Sequence, residues 1–430
     1  MRYYAAFFAL LLIAFSSSIS LACEEPPLPL RGMYLESDLI VVGKIGKPGK
    51  WIAGKNEAAS DYLIFNRSYP ISVEKTLKGD AHGKLSVWEE NYHYLGEGEN
   101  GAKVTEPNGT EFVSELGKDS GRRLFFLKKG EDGHYAEIYS NRYEFAPQGK
   151  DLDVYIARIG ELNDMYKNGA TPSKETIVEW LVSMAENQVT RFEGAYELRE
   201  SVYDLKWKLE QEAEEAAKAK EHAHSIKEEM AKNEVVLAVD ETAETSEEGE
   251  DHESYPVYGE ADFAKLLTQG QKDRLVKAFF TAKFNYEPKK YKDSEDPNET
   301  YVEALNEGDR HLTETVIQFG DRRVINRLMS EVPSLVKHQP YMAADFINEI
   351  AGVLRNERLK TLAEKFSDVA YGGENEMIEA KANAYDLDMG LSEADRIAQL
   401  AKLPGKTYGT RRAELLEQIN ASMNQLMAKK

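Results

Sequence analysis

Residues 23–44 read CEEPPLPLRGMYLESDLIVVGK, and the run Leu39-Ile40-Val41-Val42 within them decides how the fold is read. Four consecutive apolar residues, mostly β-branched, are too few for a helix and suit a strand that is buried on both faces. Similar signals recur up to residue 147, at Tyr62–Phe65, Tyr69–Val73, Leu85–Trp88, Leu124–Leu127, His134–Tyr139 and Tyr143–Phe145. Gly121 and Gly130 bracket the Leu124 run. Short strands separated by glycine-marked turns over about 110 residues predict a small closed barrel. The polar, Gly-rich stretch between Trp88 and Phe112 reads as a long surface loop.

Upstream of residue 23 the chain has the form of an export signal. Arg2 supplies the basic start, Ala5–Phe15 the apolar run, and Ser20 and Ala22 the small residues three and one before Cys23. The apolar run is too short to span a bilayer's roughly 30 Å core, and no later run approaches the required length. The expectation is an exported protein, periplasmic or extracellular, without a transmembrane span. Cys23 is the single cysteine of the 430 residues, so no internal disulfide can form. Two readings of it stay open: a free first residue after cleavage, or the acylated anchor of a lipoprotein. Against acylation, Leu21 stands two rather than three positions before Cys23.

Downstream of the barrel the periodicity changes. Leu152, Tyr155, Ile156, Ile159, Leu162 and Tyr166 share a helical face, and a helix over 151–167 would pack on the barrel. Thr171-Pro172 reads as an N-cap followed by a first-turn proline. From Leu198 to Met230 apolar residues recur in steps of four and three, interrupted at Glu212. That is a heptad pattern, readable as one amphipathic helix folded back on its own chain or as a homodimer seam. Asp240–Ser254, DETAETSEEGEDHES, carries eight acidic residues and no Lys or Arg, and reads as a solvated linker. From Tyr255 onward the pattern is helical throughout. Phe263–Leu267 continues into Leu275–Phe279, a stop falls at Gly320-Asp321, and a late capping box stands at Ser392–Asp395.

Four stretches resemble the netrin-module superfamily, which includes the tissue inhibitors of metalloproteinases. They are Cys23-x-x-Pro26-Pro27, Ser37–Lys44 (SDLIVVGK), Val73–Gly79 (VEKTLKG) and Gly121–Leu127 (GRRLFFL). The resemblance covers roughly residues 23–147 and implies an OB-type barrel with the N-terminal segment lying along its surface. In those inhibitors the amino group and carbonyl of an N-terminal Cys ligate a peptidase's zinc, and Cys23 alone could fill that role here. The inhibitors pin that Cys by a disulfide, for which this chain has no partner.

The expected fold class is therefore α+β and multidomain: an OB-like barrel over 23–150 after a signal over 1–22, then a mostly α-helical region. That region comprises a helical segment (151–239), the acidic linker (240–254) and a helical domain (255–430). The formal net charge of −21 argues against binding nucleic acid or an anionic membrane through basic patches. Gly96–Gly101 matches G-x-G-x-x-G, but no helix pattern follows and two Glu side chains would repel phosphates. His222 and His224 are two apart, so on a helix their rings diverge by about 200° and suit no shared metal. The remaining histidines form no metal or nucleophile motif. The expected function is a non-enzymatic, cofactor-free protein–protein interaction protein of the cell envelope or exterior. Its partner is an unidentified protein, and Cys23 and Glu24 are the candidate binding residues. A metallopeptidase inhibitor acting through Cys23, and an envelope hydrolase with dispersed site residues, are the alternatives.

Overall fold

A computed structural model describes residues 27–53, 62–94, 121–130, 133–138, 147, 149–232, 261–290, 300–371, 399 and 408–428. Residues 1–22, read above as an export signal, together with Cys23, Glu24, Gly96–Gly101, Tyr143–Phe145, the acidic stretch 240–254 and Ser392–Asp395, lie outside the described residues. The chain divides into two compact units, one running to Asn163 and one built from Asp164 onward.

The first unit begins with a short helix α1 (Leu30–Glu36) and strand β1 (Leu39–Ile45). The strands β2 (Ile52–Ala53), β3 (Tyr62–Lys78), β4 (Lys84–Tyr94), β5 (Arg122–Lys129) and β6 (Tyr135–Glu137) follow, and helix α2 (Gly149–Met165) closes the unit. β1 pairs antiparallel with both β3 and β5, β3 with β4, and β5 with β6, while β4 and β6 run parallel. Those pairings return to β1, so five strands close a mixed barrel of OB type, with β2 added on β3. The Leu39–Val42 run sits at the centre of this closure. Leu39 and Val41 join Ile71, Val87, Phe125 and Leu127 in the barrel interior. Ile40 and Val42 face outward against Phe126 and Leu124 and are buried as well. Burial on both faces is why the run reads as continuously apolar.

Closure bends β1 against β3 at two register irregularities, one of them between Val42 and Gly43. A Cβ on Gly43 would lie 2.6 Å from the Ser72 carbonyl oxygen, so only glycine permits the approach. β3 corrects the sequence reading, which gave two strands: Tyr62–Phe65 and Tyr69–Val73 belong to one strand of 17 residues. The intervening Asn66-Arg67-Ser68 breaks the apolar pattern without breaking the ladder, since Arg67 pairs opposite Glu89.

In the second unit, helices α3 (Lys174–Glu186) and α4 (Arg191–Lys232) are followed by α5 (Ala261–Leu266) and α6 (Gln269–Phe279). A two-stranded ribbon, β7 (Pro288–Lys290) with β8 (Thr300–Val302), leads to α7 (Glu307–Ile317), α8 (Arg322–His338), α9 (Pro340–Leu354) and α10 (Glu357–Tyr371). Helix α11 (Tyr408–Ala428) packs on α10. The ribbon corrects the expectation of helix throughout. Two boundaries also move. The N-cap of α3 is Ser173, whose Oγ accepts from Thr176 N at 3.2 Å, rather than Thr171. The continuous helix expected over 263–279 is divided at Thr268, which forms a reciprocal capping box with Gln271. The stop at Gly320-Asp321 is present: α7 ends at Ile317 and Asp321 caps α8.

The first part of α4 packs on α3, α5 and α7. A Cβ on Gly194 would lie 2.2 Å from the Leu181 carbonyl oxygen, so the α3–α4 crossing is closer than any larger residue permits. Beyond Lys206 the described side chains of α4, namely Trp207, Lys208, Leu209, Gln211 and Lys218, are all exposed.

Candidate functional site at the barrel

The two ends of the barrel differ in chemistry. At the end where α1 enters β1, the short helix is clamped by polar bonds. Lys78, the last residue of β3, donates from Nζ to the carbonyl oxygens of Tyr34 and Ser37, each at 2.6 Å. Its ammonium also lies 4.5 Å from the Tyr34 ring centre. A cation on the last carbonyls of a helix satisfies orphan acceptors and complements the macrodipole. Burial lowers the Lys78 pKa, with nearby Asp38 opposing the shift. Tyr34 Oη donates to Asn163 Oδ1 at 3.0 Å, and Asn163 Nδ2 donates to Leu77 O at 2.8 Å, so α2 joins the clamp. Asp38 accepts from Lys129 N at 2.8 Å, fixing the α1–β1 corner to β5. Cys23 and Glu24 themselves lie outside the described residues. The described chain begins at Pro27, and α1 begins at Leu30.

At the opposite end, alternation along the strands carries charge inward. Arg67 and Tyr69 share the face of Ile71, Glu89 that of Val87, and Arg123 that of Phe125. Arg67 divides its Nε–H between Tyr69 Oη at 2.9 Å and Glu89 Oε2 at 2.5 Å, and Tyr69 Oη donates to the same carboxylate oxygen. Glu89 keeps only 4% of its side chain exposed. Trp51 covers the guanidinium at 4.1 Å. Burial raises the Tyr69 phenol, and the adjacent Glu89 carboxylate raises it further. A second pair stands on β5 and β6. Arg123 passes 4.4 Å over the Phe125 ring and donates from Nη2 to Glu137 Oε2 at 3.2 Å. Burial pushes the Glu137 carboxyl up to about 7, against the pull of Arg123.

Glu89 Oε1 and Arg123 Nε are buried without hydrogen-bond partners. The barrel interior therefore holds one open acceptor, on Glu89, and one open donor, on Arg123. A hydroxyl, an amide or a water molecule could satisfy either one. None of these residues belongs to the sequence-derived candidate set. The signal that could have found them is period-two parity, which places charged residues two positions from core residues on the same strand face.

The helical unit holds a separate charged network. Arg191, on α4, pairs with Asp309 on α7 and donates to Ala185 O at 3.1 Å and Thr281 Oγ1 at 2.9 Å. Glu314 is met by Arg199 Nε, by Arg310 Nε at 2.9 Å and by His311 Nδ1 at 3.4 Å. Burial would raise Glu314, but His311, Arg199 and Arg310 overcome it and pull the carboxyl down to about 2. His311 packs edge-on to Phe192 and Tyr196 at 5.4 and 5.2 Å. Each carboxylate here has a cation, so the network fixes how α4 crosses α7. The side chains of His222 and His224 on α4 lie outside the described set. Among the described residues no cluster of His, Cys, Asp or Glu could hold a metal ion, and no helix is long and apolar enough to cross a membrane.

No family model, curated protein or solved structure matches this chain.

Proposed function

We propose that the chain is an exported, non-enzymatic interaction protein of the cell envelope or exterior, whose barrel presents the N-terminal segment from Cys23 to Pro29 to a protein partner. The observation that carries this reading is the clamp on α1. A seven-residue helix has little stability of its own, yet Leu30, Met33 and Tyr34 are buried and the helix end is bonded by Lys78. A segment held at a rigid anchor loses less conformational entropy on binding than a free tail. The narrower likeness to netrin modules draws support from the pairing of its motifs. Ser37–Lys44, Val73–Gly79 and Gly121–Leu127 are the strand regions that meet at β1.

The test is photo-cross-linking in a bacterial host that exports the chain, with the reactive group at Glu24 and, separately, at Gly160. Gly160 is exposed on α2 and a side chain there would meet nothing within 4 Å. The reading expects a discrete cross-linked protein from position 24 and none from 160. Absence of any adduct from position 24 would sink it. The inhibitor form makes a further demand: one alanine added before Cys23 should abolish inhibition of a zinc peptidase, because it displaces the amino group from the metal.

A further inference from the structure

Five strands close the barrel, but they close it unevenly. β3 pairs with β4 from Tyr62 to Ser72, and β1 with β5 from Leu39 to Lys44. β6 has three residues, and among the described residues it meets β4 only at Val87–Tyr135 and Trp88–Ala136. This seam is parallel where the others are antiparallel, and parallel pairing is slightly less stable per residue. On its other side β6 pairs with β5 from Leu127 to Lys129, and Ile138 N donates to Phe126 O at 2.8 Å. Without β6 the other four strands would form an open sheet in the order β5, β1, β3, β4. A segment of three residues therefore separates a closed barrel from an open sheet.

The inward side of that segment carries a titratable group. Tyr135 packs against the interior core, and Glu137, two residues on, shares its face. From β5, Arg123 donates to the Glu137 carboxyl at 3.2 Å. From β4, Glu89 is the next interior residue after Val87, and its charge is met by Arg67 of β3, with Tyr69 donating to it as well. Arg67 is thus committed elsewhere, and Arg123 is the one cation paired with Glu137 among the described residues. Burial pushes the Glu137 carboxyl up to about 7 in spite of Arg123, from an ordinary value of 4.5 that detachment into water would restore. Between those values the closed barrel holds a proton that the open form releases, so rising pH favours opening.

We infer that β6 is a pH-controlled latch: it closes the barrel while Glu137 is protonated, and ionisation of Glu137 promotes its local detachment while β1, β3, β4 and β5 stay paired. The latch stands independently of the function proposed above.

The test is hydrogen exchange of the purified chain from pH 5 to 7.5, with rates divided by those of an unstructured peptide at each pH. Protection of the amides of residues 135–138 should fall roughly tenfold or more over that range, since each unit of pKa separation is worth up to tenfold in the opening equilibrium. Low urea should barely change their exchange, because a short segment exposes little surface, whereas the amides of Leu39–Val42 should respond steeply. Glu137→Gln keeps the shape of the side chain and cannot ionise, so it should leave protection at 135–138 flat with pH. An equal urea response at 135–138 and 39–42 would mean that β6 opens only with the whole barrel, and overturns the inference. So does protection at 135–138 that is constant with pH in the unaltered chain, or that still falls with pH in Glu137→Gln. Should that variant fail to fold, the urea response and the pH dependence of the unaltered chain decide between latch and no latch by themselves.

Discussion

Single residues decide which parts of the barrel are rigid. Arg67 and Glu89 face each other across β3 and β4 at one end of its interior, with 11% and 4% of their side chains exposed. Removing one partner strands the other's charge, whereas removing both replaces a costly desolvation with packing. Arg67→Met should therefore lose about 3 kcal/mol in urea unfolding, and Arg67→Met with Glu89→Leu should recover more than half of that. Equal losses in the single and double variants would mean that the pair is solvated. At the other end, Lys78→Met takes the cation from the last carbonyls of α1. The expected cost is about 1–2 kcal/mol, accompanied by faster hydrogen exchange over residues 30–37. Unchanged exchange there would show that burial of Leu30 and Met33 holds the helix without the clamp.

At the scale of elements, the sequence is legible where local chemistry and packing agree. The Leu39–Val42 strand, the helix near 151–167, the stop at Gly320-Asp321 and the final helix around Leu415–Met423 are all present. Reading failed where a tertiary partner overrides the local pattern. Arg67 looks like a break in a strand until Glu89 is seen opposite it, and Thr268 looks like mid-helix until Gln271 folds back onto it. The β7–β8 ribbon pairs Pro288–Lys290 with Thr300–Val302 across a gap in sequence that no local period can signal. The candidate site was less legible than the fold. Cys23 and Glu24 were chosen from position and resemblance, while the inward charges at Glu89 and Glu137 needed strand parity. Close packing between elements was equally hidden, because Gly194 in a helix looks only like a weak helix former. In the structure it admits the Leu181 carbonyl. Gly194→Ala, which would gain helix propensity in isolation, should instead cost about 3 kcal/mol or more as α3 and α4 are forced apart. A stabilised variant in thermal unfolding would show that the crossing is looser than described.

At the scale of the whole molecule, the two units should answer acid in opposite directions. Glu137 in the barrel has its carboxyl raised to about 7 by burial, with Arg123 opposing, from an unfolded value near 4.5. Between those values the native state holds the proton and the unfolded state does not. The associated stability is thus complete below about pH 4.5 and is lost as pH rises through about 7. With 15% of the side chain exposed, water moderates the effect, which we set at about 2 kcal/mol. Glu314 in the helical unit is the reverse case. Its burial is outweighed by His311, Arg199 and Arg310, so its stability is present above about 4.5 and lost as pH falls towards about 2. The tryptophans separate the readouts, since Trp51 and Trp88 lie in the barrel unit and Trp180 and Trp207 in the helical one. Fluorescence-monitored urea unfolding of Trp180→Phe/Trp207→Phe should show the barrel midpoint rising from pH 7.5 to 5. Trp51→Phe/Trp88→Phe should show the helical midpoint falling from pH 4.5 to 3. Approach to the isoelectric point near 5.0 relaxes charge repulsion everywhere, so the decisive comparison is within each background. Glu137→Gln should flatten only the barrel's response and Glu314→Gln only the helical one. If either substitution moved both transitions equally, the two carboxylates would not be acting through their own units.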